Sequence, residues 1–192
     1  MANTKNNRES LSSMKKRSNS DFILSGGLWW NENNISHSLN LLISKGVQLQ
    51  SGVYSKFGLM TYKDKSYKLG WYKWSNTLND MLGGSPSLII DNKIHIDSGK
   101  MENYILTSKQ PRAGFGLNKD HVFLVTVDGR KEGRIGATIQ EFANIMKDLK
   151  CENAFGGDGG GTVRLEDKSK VLNYPTENRS MNNAISIKLK EV

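Results

Sequence analysis

The hydrophobic and polar positions of this chain alternate in short blocks. Apolar runs are separated by a few polar residues, and one such break, Lys45-Gly46, is typical of a two-residue β-hairpin turn. Repeated hairpins predict an antiparallel, meander-rich sheet. The pattern predicts hairpins around 39–49, 57–74, 87–96, 114–127 and 163–172, and a final strand over 184–189.

One segment has the periodicity of a helix. Thr138 and Glu141 have the spacing of a capping box. Behind this cap, apolar residues recur at 3.6-residue spacing, and they are Ile139, Phe142, Ala143, Ile145, Met146 and Leu149. A second helical turn is predicted around 75–82. The predicted fold class is therefore α+β, an antiparallel, hairpin-rich mixed sheet with one well-defined helix, about 138–150, packed on it.

The stretch from Ala154 to Thr162 contains five glycines and one carboxylate, Asp158. Glycine adds no side chain to a core, but it permits unusual backbone conformations and close approach of a ligand. The stretch could be a flexible linker. It could equally be a tight loop that aims Asp158 and several backbone N–H groups at an anionic or polyhydroxylated ligand. The strand-like residues on both sides favour the loop.

Composition indicates one globular domain. The chain has 192 residues, of which 36% are hydrophobic. No apolar run approaches the roughly 18 residues that span a bilayer, and the N-terminus has no apolar core of a signal peptide. We therefore expect a cytoplasmic protein without a membrane partner. The single cysteine, Cys151, cannot form an internal disulfide and fits a reducing compartment.

The basic charge is concentrated at the N-terminus. The net charge of the chain is +8, and residues 1–20 contain Lys5, Arg8, Lys15, Lys16 and Arg17 against Glu9 alone. This segment is rich in polar residues, which predicts a flexible basic tail over 1–20 and a folded domain over 21–192. No aromatic residues are interleaved with these charges, which argues against nucleic-acid binding by the tail.

Charged side chains occur beside glycines or at strand ends, where a rigid scaffold can present functional groups. Asp128 follows a strand, and Arg112, Arg130 and Arg179 lie in similar positions. Arginine can bind a phosphate or carboxylate through two parallel hydrogen bonds. Each residue also has an ordinary alternative, because Asp-Gly turns and surface arginines are common.

Several familiar chemistries are excluded. The glycine-rich stretch lacks the lysine of a P-loop, and it precedes a hairpin where a dinucleotide-binding turn would precede a helix. The three histidines, His37, His95 and His121, do not have the spacing of zinc ligands. Cys151 with a distant histidine is no convincing nucleophile pair. The remaining candidates are carboxylates and arginines.

In their order along the chain, these motifs resemble the phosphodiester glycosidase domain family. The resemblance runs from about residue 21 to the C-terminus and is most specific from Pro111 onward. Its motifs are Pro111-Arg112 with Gly116, Asp128-Gly129-Arg130, Thr138 to Glu141, Asp158 to Thr162, and Arg179 with Asn183-Ala184, preceded more loosely by Ser25 to Trp29 and Leu82 to Pro86. Ser25 and Gly156 replace asparagines of the family pattern, and Thr162 replaces a serine. We therefore expect a changed substrate preference.

The resemblance implies cleavage between the anomeric carbon of a sugar and a phosphate oxygen. It implies that Asp158 and Asp128 form the catalytic carboxylate pair that glycosidases use. The residues that it implies for binding phosphate or substrate are Arg112, Arg130, Arg179, Gly159, Gly160, Gly161, Thr162, Ser25, Gly26 and Asn183. The implied ligand is a small-molecule sugar phosphate or one similar to a nucleotide sugar.

Two alternatives stay open from the sequence. Asp128 and Asp158 could hold a divalent metal, because phosphate substrates often require one, although chemistry without a metal or other cofactor is favoured. The fold could also be a non-catalytic binding module that sequesters a sugar phosphate or nucleotide ligand.

Overall fold

The structure, a computed structural model, describes residues 8–97 and 99–190. Within these ranges it has three helices, which are α1 (Leu11–Ser18), α2 (Asn103–Thr107) and α3 (Ile139–Asp148). The strands are β1 (Phe22–Ser25), β2 (Trp29–Glu32), β3 (Ile35–Ser38), β4 (Leu41–Ser44), β5 (Val47–Ser51), β6 (Phe57–Tyr62), β7 (Tyr67–Trp71), β8 (Leu78–Gly83), β9 (Ser87–Ile90), β10 (Lys93–Asp97), β11 (Arg112–Leu117), β12 (Val122–Val127), β13 (Asn153–Gly159), β14 (Leu165–Glu166) and β15 (Ala184–Ile187).

The strands form antiparallel sheets. Two sheets have five strands each, in the orders β10-β9-β13-β11-β12 and β5-β4-β8-β6-β7. A three-stranded sheet has the order β14-β1-β15, and β2 pairs with β3. This arrangement confirms the predicted α+β class. In the part of the chain that is described, no helix combines the length and apolar character of a membrane span.

Local turn and cap chemistry explains the elements that were predicted. Lys45 and Gly46 have φ angles of 51° and 76°, the positive values that a tight hairpin turn requires. At α3 the Thr138 side chain accepts a hydrogen bond from the Glu141 backbone N–H, and the Glu141 side chain accepts one from the Thr138 backbone N–H. The predicted capping box is therefore confirmed.

The first five-stranded sheet is covered on both faces. On one face α3 packs Phe142 and Met146 against Ile89 of β9. On the other face Phe115 and Phe155 join a cluster with residues of the second five-stranded sheet, which include Phe57, Leu69 and Leu82. Strand β13 is the middle strand of this sheet, so its residues contact both layers of the core.

The glycine-rich stretch differs from its predicted loop. Residues up to Gly159 belong to β13, and a chain turn begins only at Gly160, which has a φ of 86°. A Cβ atom added at Gly156 would lie 3.1 Å from Cδ of Pro86, and one at Gly157 would lie 2.5 Å from the carbonyl oxygen of Gly26. Neighbouring segments therefore approach the strand too closely for larger residues. Close packing explains these two glycines.

The N-terminal segment also differs from its prediction. Residues 1–7 of the predicted tail lie outside the described residues. Residues 11–18 form α1, whose Leu11 and Met14 are buried in a cluster with Ile23 and Met181. The two apolar residues lie three positions apart on one helix face, and the polar composition around them concealed this stripe. The folded unit therefore begins before residue 21.

Two further differences follow from packing. The helical turn predicted around 75–82 is wrong, because Leu78–Gly83 forms the central strand β8. Met81 and Leu82 of β8 pair with both neighbouring strands and are buried. In the hairpin predicted around 163–172, the second strand is reduced to a single bridge between Glu166 and Val171.

Candidate active site

A β-bulge positions Asp158. In the β11–β13 pairing Arg112 is opposite Gly159, whereas Gly114 is opposite Gly156. One extra residue of β13 therefore lies between these two pairs. Such a bulge bends the strand and redirects a side chain, and bulges are common beside active sites. The Asp158 backbone N–H leaves the ladder and donates to the carbonyl of Gly26, 2.6 Å away.

Asp158 lies at the wall of a cavity of about 180 Å³. This cavity is smaller than the roughly 300–1,000 Å³ of pockets for drug-sized ligands, so it suits a small group such as one sugar ring. Apolar side chains provide much of its lining, as expected for a ligand pocket with few polar anchors. The lining includes Tyr104, Gln110, Arg112, Arg130, Asp158, Gly159 and Gly160.

The Asp158 carboxyl group is almost completely buried, with 6% of the residue exposed. Burial raises its pKa from 3.8 to about 6, although hydrogen bonds from Thr162 and Gly159 and the charge of Arg179 act in the opposite direction. The Thr162 hydroxyl donates to Oδ2 at 2.8 Å, and the Gly159 backbone N–H donates to Oδ1 at 2.9 Å. A carboxyl group with a pKa near 6 can supply a proton near neutral pH.

Arg112 lines the cavity, but most of its hydrogen bonds are structural. Its Nε donates to the carbonyl of Ala137 at 2.9 Å, and its Nη2 donates to the carbonyls of Ile105 and Ser108 at 2.7 and 2.8 Å. The residue is 4% exposed, and burial lowers the pKa of its guanidinium from 12.5 to about 10. Arg112 therefore joins β11 to α2 and to the segment before α3. The expected role in binding phosphate is limited to Nη1, which faces Gly159.

Arg130 and Arg179 are brought together by a carboxylate that the sequence reasoning missed. Arg130 Nη1 lies 3.0 Å from Glu177 Oε1, and Arg179 Nε lies 2.7 Å from Glu177 Oε2. Arg130 also donates from Nε to the Gln110 side chain at 2.7 Å. The signal for Glu177 was its position two residues before Arg179, where an extended chain places both side chains on one side.

The last glycines of the stretch make room for these side chains. A Cβ atom at Gly160 would lie 3.1 Å from Nη2 of Arg130, and a Cβ at Gly161 would overlap the carboxylate of Glu177. Glu177 also donates its backbone N–H to the carbonyl of Gly161 at 2.9 Å. The glycines therefore let an arginine and a carboxylate lie directly over the backbone beside Asp158.

Asp128 does not line the cavity. Its Oδ1 accepts hydrogen bonds from the Asn173 side chain at 3.2 Å and from the Tyr174 backbone N–H at 2.9 Å, and its Oδ2 lies 3.8 Å from Nε of Arg134. These bonds attach the 173–174 segment to the end of β12. The structure therefore gives Asp128 a role in holding this segment and does not support the expected catalytic pair with Asp158.

Ser25, Gly26 and Asn183 lie next to the site but do not line the cavity beside Asp158. Ser25 is buried, and its hydroxyl accepts from the Arg164 backbone N–H at 3.2 Å. The Asn183 side chain accepts from the Gly27 backbone N–H at 2.7 Å, and a Cβ at Gly26 would overlap this side chain. Asn183 lines a second cavity, and neither Ser25 nor Gly26 lines the cavity beside Asp158. Of these residues, Gly26 contacts β13 directly, because its carbonyl accepts from the Asp158 backbone N–H.

The metal alternative has little geometric support around Asp158. Among residues 8–97 and 99–190, no three histidine, cysteine, aspartate or glutamate side chains come together as a metal site would require. Asp128 and Asp158 each have their own hydrogen-bond partners.

We expect Asp128→Asn to retain turnover within about fivefold of the parent, because a group outside the reacting centre lacks the roughly 10²–10⁴-fold contribution of a proton donor. The asparagine keeps an oxygen that can accept from Asn173 and Tyr174. Steady-state hydrolysis rates at saturating substrate would test this expectation. A loss as large as that of an Asp158 variant would instead place Asp128 in the chemistry.

Comparisons with known proteins address the family and the fold of the chain. A family model described as phosphodiester glycosidase matches residues 7–188 of the chain. No curated protein matches the chain. A solved structure similar to it is the zebrafish N-acetylglucosamine-1-phosphodiester alpha-N-acetylglucosaminidase catalytic domain, auto-inhibited by its pro-peptide. The identity is 19%, 96% of this chain and 69% of that chain are covered, and the TM-score is 0.80.

Two bacterial structures share the fold at lower identity. A putative exported protein from Burkholderia pseudomallei K96243 is 11% identical, with a TM-score of 0.72 over 95% of this chain and 68% of that chain. A hypothetical protein from Synechocystis is also 11% identical, with a TM-score of 0.66 over 93% of this chain and 52% of that chain. The described chain thus spans about half the length of the Synechocystis protein.

Proposed function

The chain belongs to the phosphodiester glycosidase family, and we propose that it hydrolyses a sugar-1-phosphodiester between the anomeric carbon and the phosphate oxygen. The products are a free sugar and a phosphomonoester. The observation that carries this proposal is the buried Asp158 carboxyl group beside the Arg130–Glu177–Arg179 cluster, at the wall of a cavity suited to one sugar ring. The zebrafish enzyme is named for an N-acetylglucosamine-1-phosphodiester. We extend only the phosphodiester class to this chain.

The proposed chemistry begins with cleavage of the bond between C1 and the bridging oxygen. The bonding electrons leave with the phosphate, and positive charge develops on the sugar as an oxocarbenium-like transition state. Asp158 donates its proton to the departing oxygen. Water then attacks C1, and the proton that it loses restores the carboxyl group through solvent. Negative charge develops on the departing oxygen as the bond breaks, and Arg130 and Arg179 stabilise it through their guanidinium groups until the proton from Asp158 neutralises it.

The cavity walls account for the orientation of the sugar. Tyr104 lies at the cavity with 63% of its surface exposed, so its ring is available to stack on a sugar face. Gly156 also lines the cavity, lies against Pro86, and presents only backbone to a ligand. The family asparagine that Gly156 replaces would have offered an amide here. A sugar that needs fewer hydrogen bonds at this position is therefore favoured.

A panel of sugar-1-phosphodiesters and nucleotide sugars would test the proposal. The protein is incubated with each compound, and free reducing sugar and phosphomonoester are quantified over time. We expect catalytic release of both products in equal amounts for at least one compound. Stoichiometric capture without release would instead identify a non-catalytic binding module, and the Asp158→Asn protein is the control for contaminating hydrolases.

A further inference from the structure

Glu177 forms a cluster with Arg130 and Arg179, and Arg130 is the member of this cluster that lines the cavity. Glu177 contacts Arg130 and Arg179 at 3.0 and 2.7 Å, and its side chain is about one third exposed. The backbone N–H groups of Thr176 and Glu177 both donate to the carbonyl of Gly161, at 3.0 and 2.9 Å. These two bonds fix the backbone of this segment over the glycine turn, beside Arg130 and Arg179.

Glu177 leaves donors available on both arginines. It engages Nη1 of Arg130 and Nε of Arg179, and a guanidinium group has five N–H donors in a planar fork. Nη2 of Arg130 lies over Gly160 at the cavity. A phosphate can therefore bind to the remaining N–H groups while Glu177 keeps its own contacts.

The charges of this cluster match one kind of phosphate ester. Two guanidinium groups and one carboxylate leave a single positive charge among the three contacting side chains. A phosphodiester carries one negative charge, whereas a phosphomonoester carries about −1.5 to −2 at pH 7. We propose that Glu177 makes the site selective for phosphodiester monoanions over phosphomonoester dianions, an inference that depends on the proposed function, in which Arg130 and Arg179 bind the phosphate.

This selectivity has a consequence for turnover. Cleavage with proton transfer from Asp158 first gives a monoanionic monoester. The product then loses a proton to solvent at pH 7, because the second pKa of a phosphate monoester is about 6, so repulsion from Glu177 increases once the product ionises. The repulsion acts on each ligand charge, which weakens binding of the dianion more than binding of the monoanion. Glu177 therefore speeds release of the phosphomonoester and limits product inhibition.

The variant Glu177→Gln tests this proposal because it removes the charge and keeps the shape of the side chain. Dimethyl phosphate and methyl phosphate serve as monoanionic and dianionic probes at pH 7.5, with binding followed by NMR titration. The substitution removes the repulsion between Glu177 and the probe, and this repulsion is twice as large for a dianion as for a monoanion. We therefore expect the affinity for methyl phosphate to rise about tenfold and the affinity for dimethyl phosphate about threefold.

A matched control is Glu152→Gln, which makes the same change of charge at the opposite end of β13, where the Glu152 backbone N–H donates to Leu117. We expect it to leave the ratio of the two affinities unchanged. Equal gains for both probes in Glu177→Gln, a loss of methyl phosphate affinity, or no binding of either probe to the parent protein would overturn the proposal.

The design separates this inference from the proposed function. Neither probe contains a glycosidic bond, so the affinity ratio does not depend on hydrolysis. A shifted ratio without turnover of any glycosyl phosphodiester would overturn the proposed reaction alone. Turnover with an unshifted ratio would overturn the role of Glu177 alone.

Discussion

Replacing Asp158 by asparagine is expected to lower turnover by about 10²–10⁴-fold, the usual contribution of a general acid. Asparagine has nearly the same shape, and its oxygen can still accept from Gly159 or Thr162, so the site should keep its geometry. The loss should appear in kcat, because the proton is transferred only as the C1–oxygen bond breaks. Rates of reducing-sugar release at saturating substrate would measure it. Full turnover by this variant would remove Asp158 from the mechanism.

The same substitution is expected to stabilise the folded protein at neutral pH. The folded-state pKa of Asp158 is raised from 3.8 to about 6, so the native state binds the proton more tightly than the unfolded chain does. Stability from this group is complete below about pH 4 and is lost as the pH rises through 6. Above pH 7 ionisation of Asp158 lowers the free energy of unfolding of the parent by at most about 3 kcal/mol. Asparagine carries no charge, so the variant does not lose this stability.

Urea unfolding of the parent and of Asp158→Asn at pH 4 and pH 7.5 would measure this pH-dependent difference in stability. We expect a free energy of unfolding that is about 1–3 kcal/mol higher for the variant at pH 7.5, and a smaller difference at pH 4. A suitable control is Asp91→Asn, because Asp91 lies in an exposed turn with a φ of 47° that asparagine also adopts. A destabilised Asp158→Asn protein at pH 7.5 would contradict the raised pKa.

The parts of the fold that local chemistry determines could be predicted from the sequence. The Lys45-Gly46 turn and the Thr138–Glu141 capping box require only neighbouring residues, so their patterns are sufficient. The α1 helix was missed because its stability depends on Leu11 and Met14 packing against residues outside the helix, which include Met181, far away in the sequence. Local propensity is a weak guide where such tertiary contacts decide the structure.

The candidate site shows the same division. Asp158 could be predicted because glycines and a carboxylate stand together in the chain. For Glu177 the sequence offers only its spacing from Arg179, because the contact with Arg130 forms only where the turn after β12 meets the segment before β15. The strand character of β13 was also concealed, since glycines usually weaken strands and are required here by the close approach of Gly26 and Pro86.

Replacing Arg112 by methionine is expected to destabilise the protein by about 2–4 kcal/mol. Burial of the charged guanidinium costs free energy, as its pKa lowered to about 10 indicates, and methionine removes this cost. It also leaves the partly buried carbonyls of Ile105 and Ser108 without this donor, whereas the Ala137 carbonyl keeps the Gln110 backbone N–H. Each carbonyl left without a partner costs about 1–3 kcal/mol, so the loss of these bonds outweighs the relief.

Two further variants distinguish this structural role from phosphate binding. Arg112→Lys keeps the charge but offers one nitrogen in place of a planar fork, so it cannot serve three carbonyls on different segments, and its stability should fall between parent and methionine variant. Arg130→Lys should lower activity with little change in stability, because Arg130 is nearly half exposed at 46%. Urea unfolding and initial rates for all three proteins would test this division. If Arg112→Met unfolded like the parent yet failed to bind methyl phosphate, Arg112 would be a ligand-binding arginine, and its bonds to α2 would contribute little to the fold.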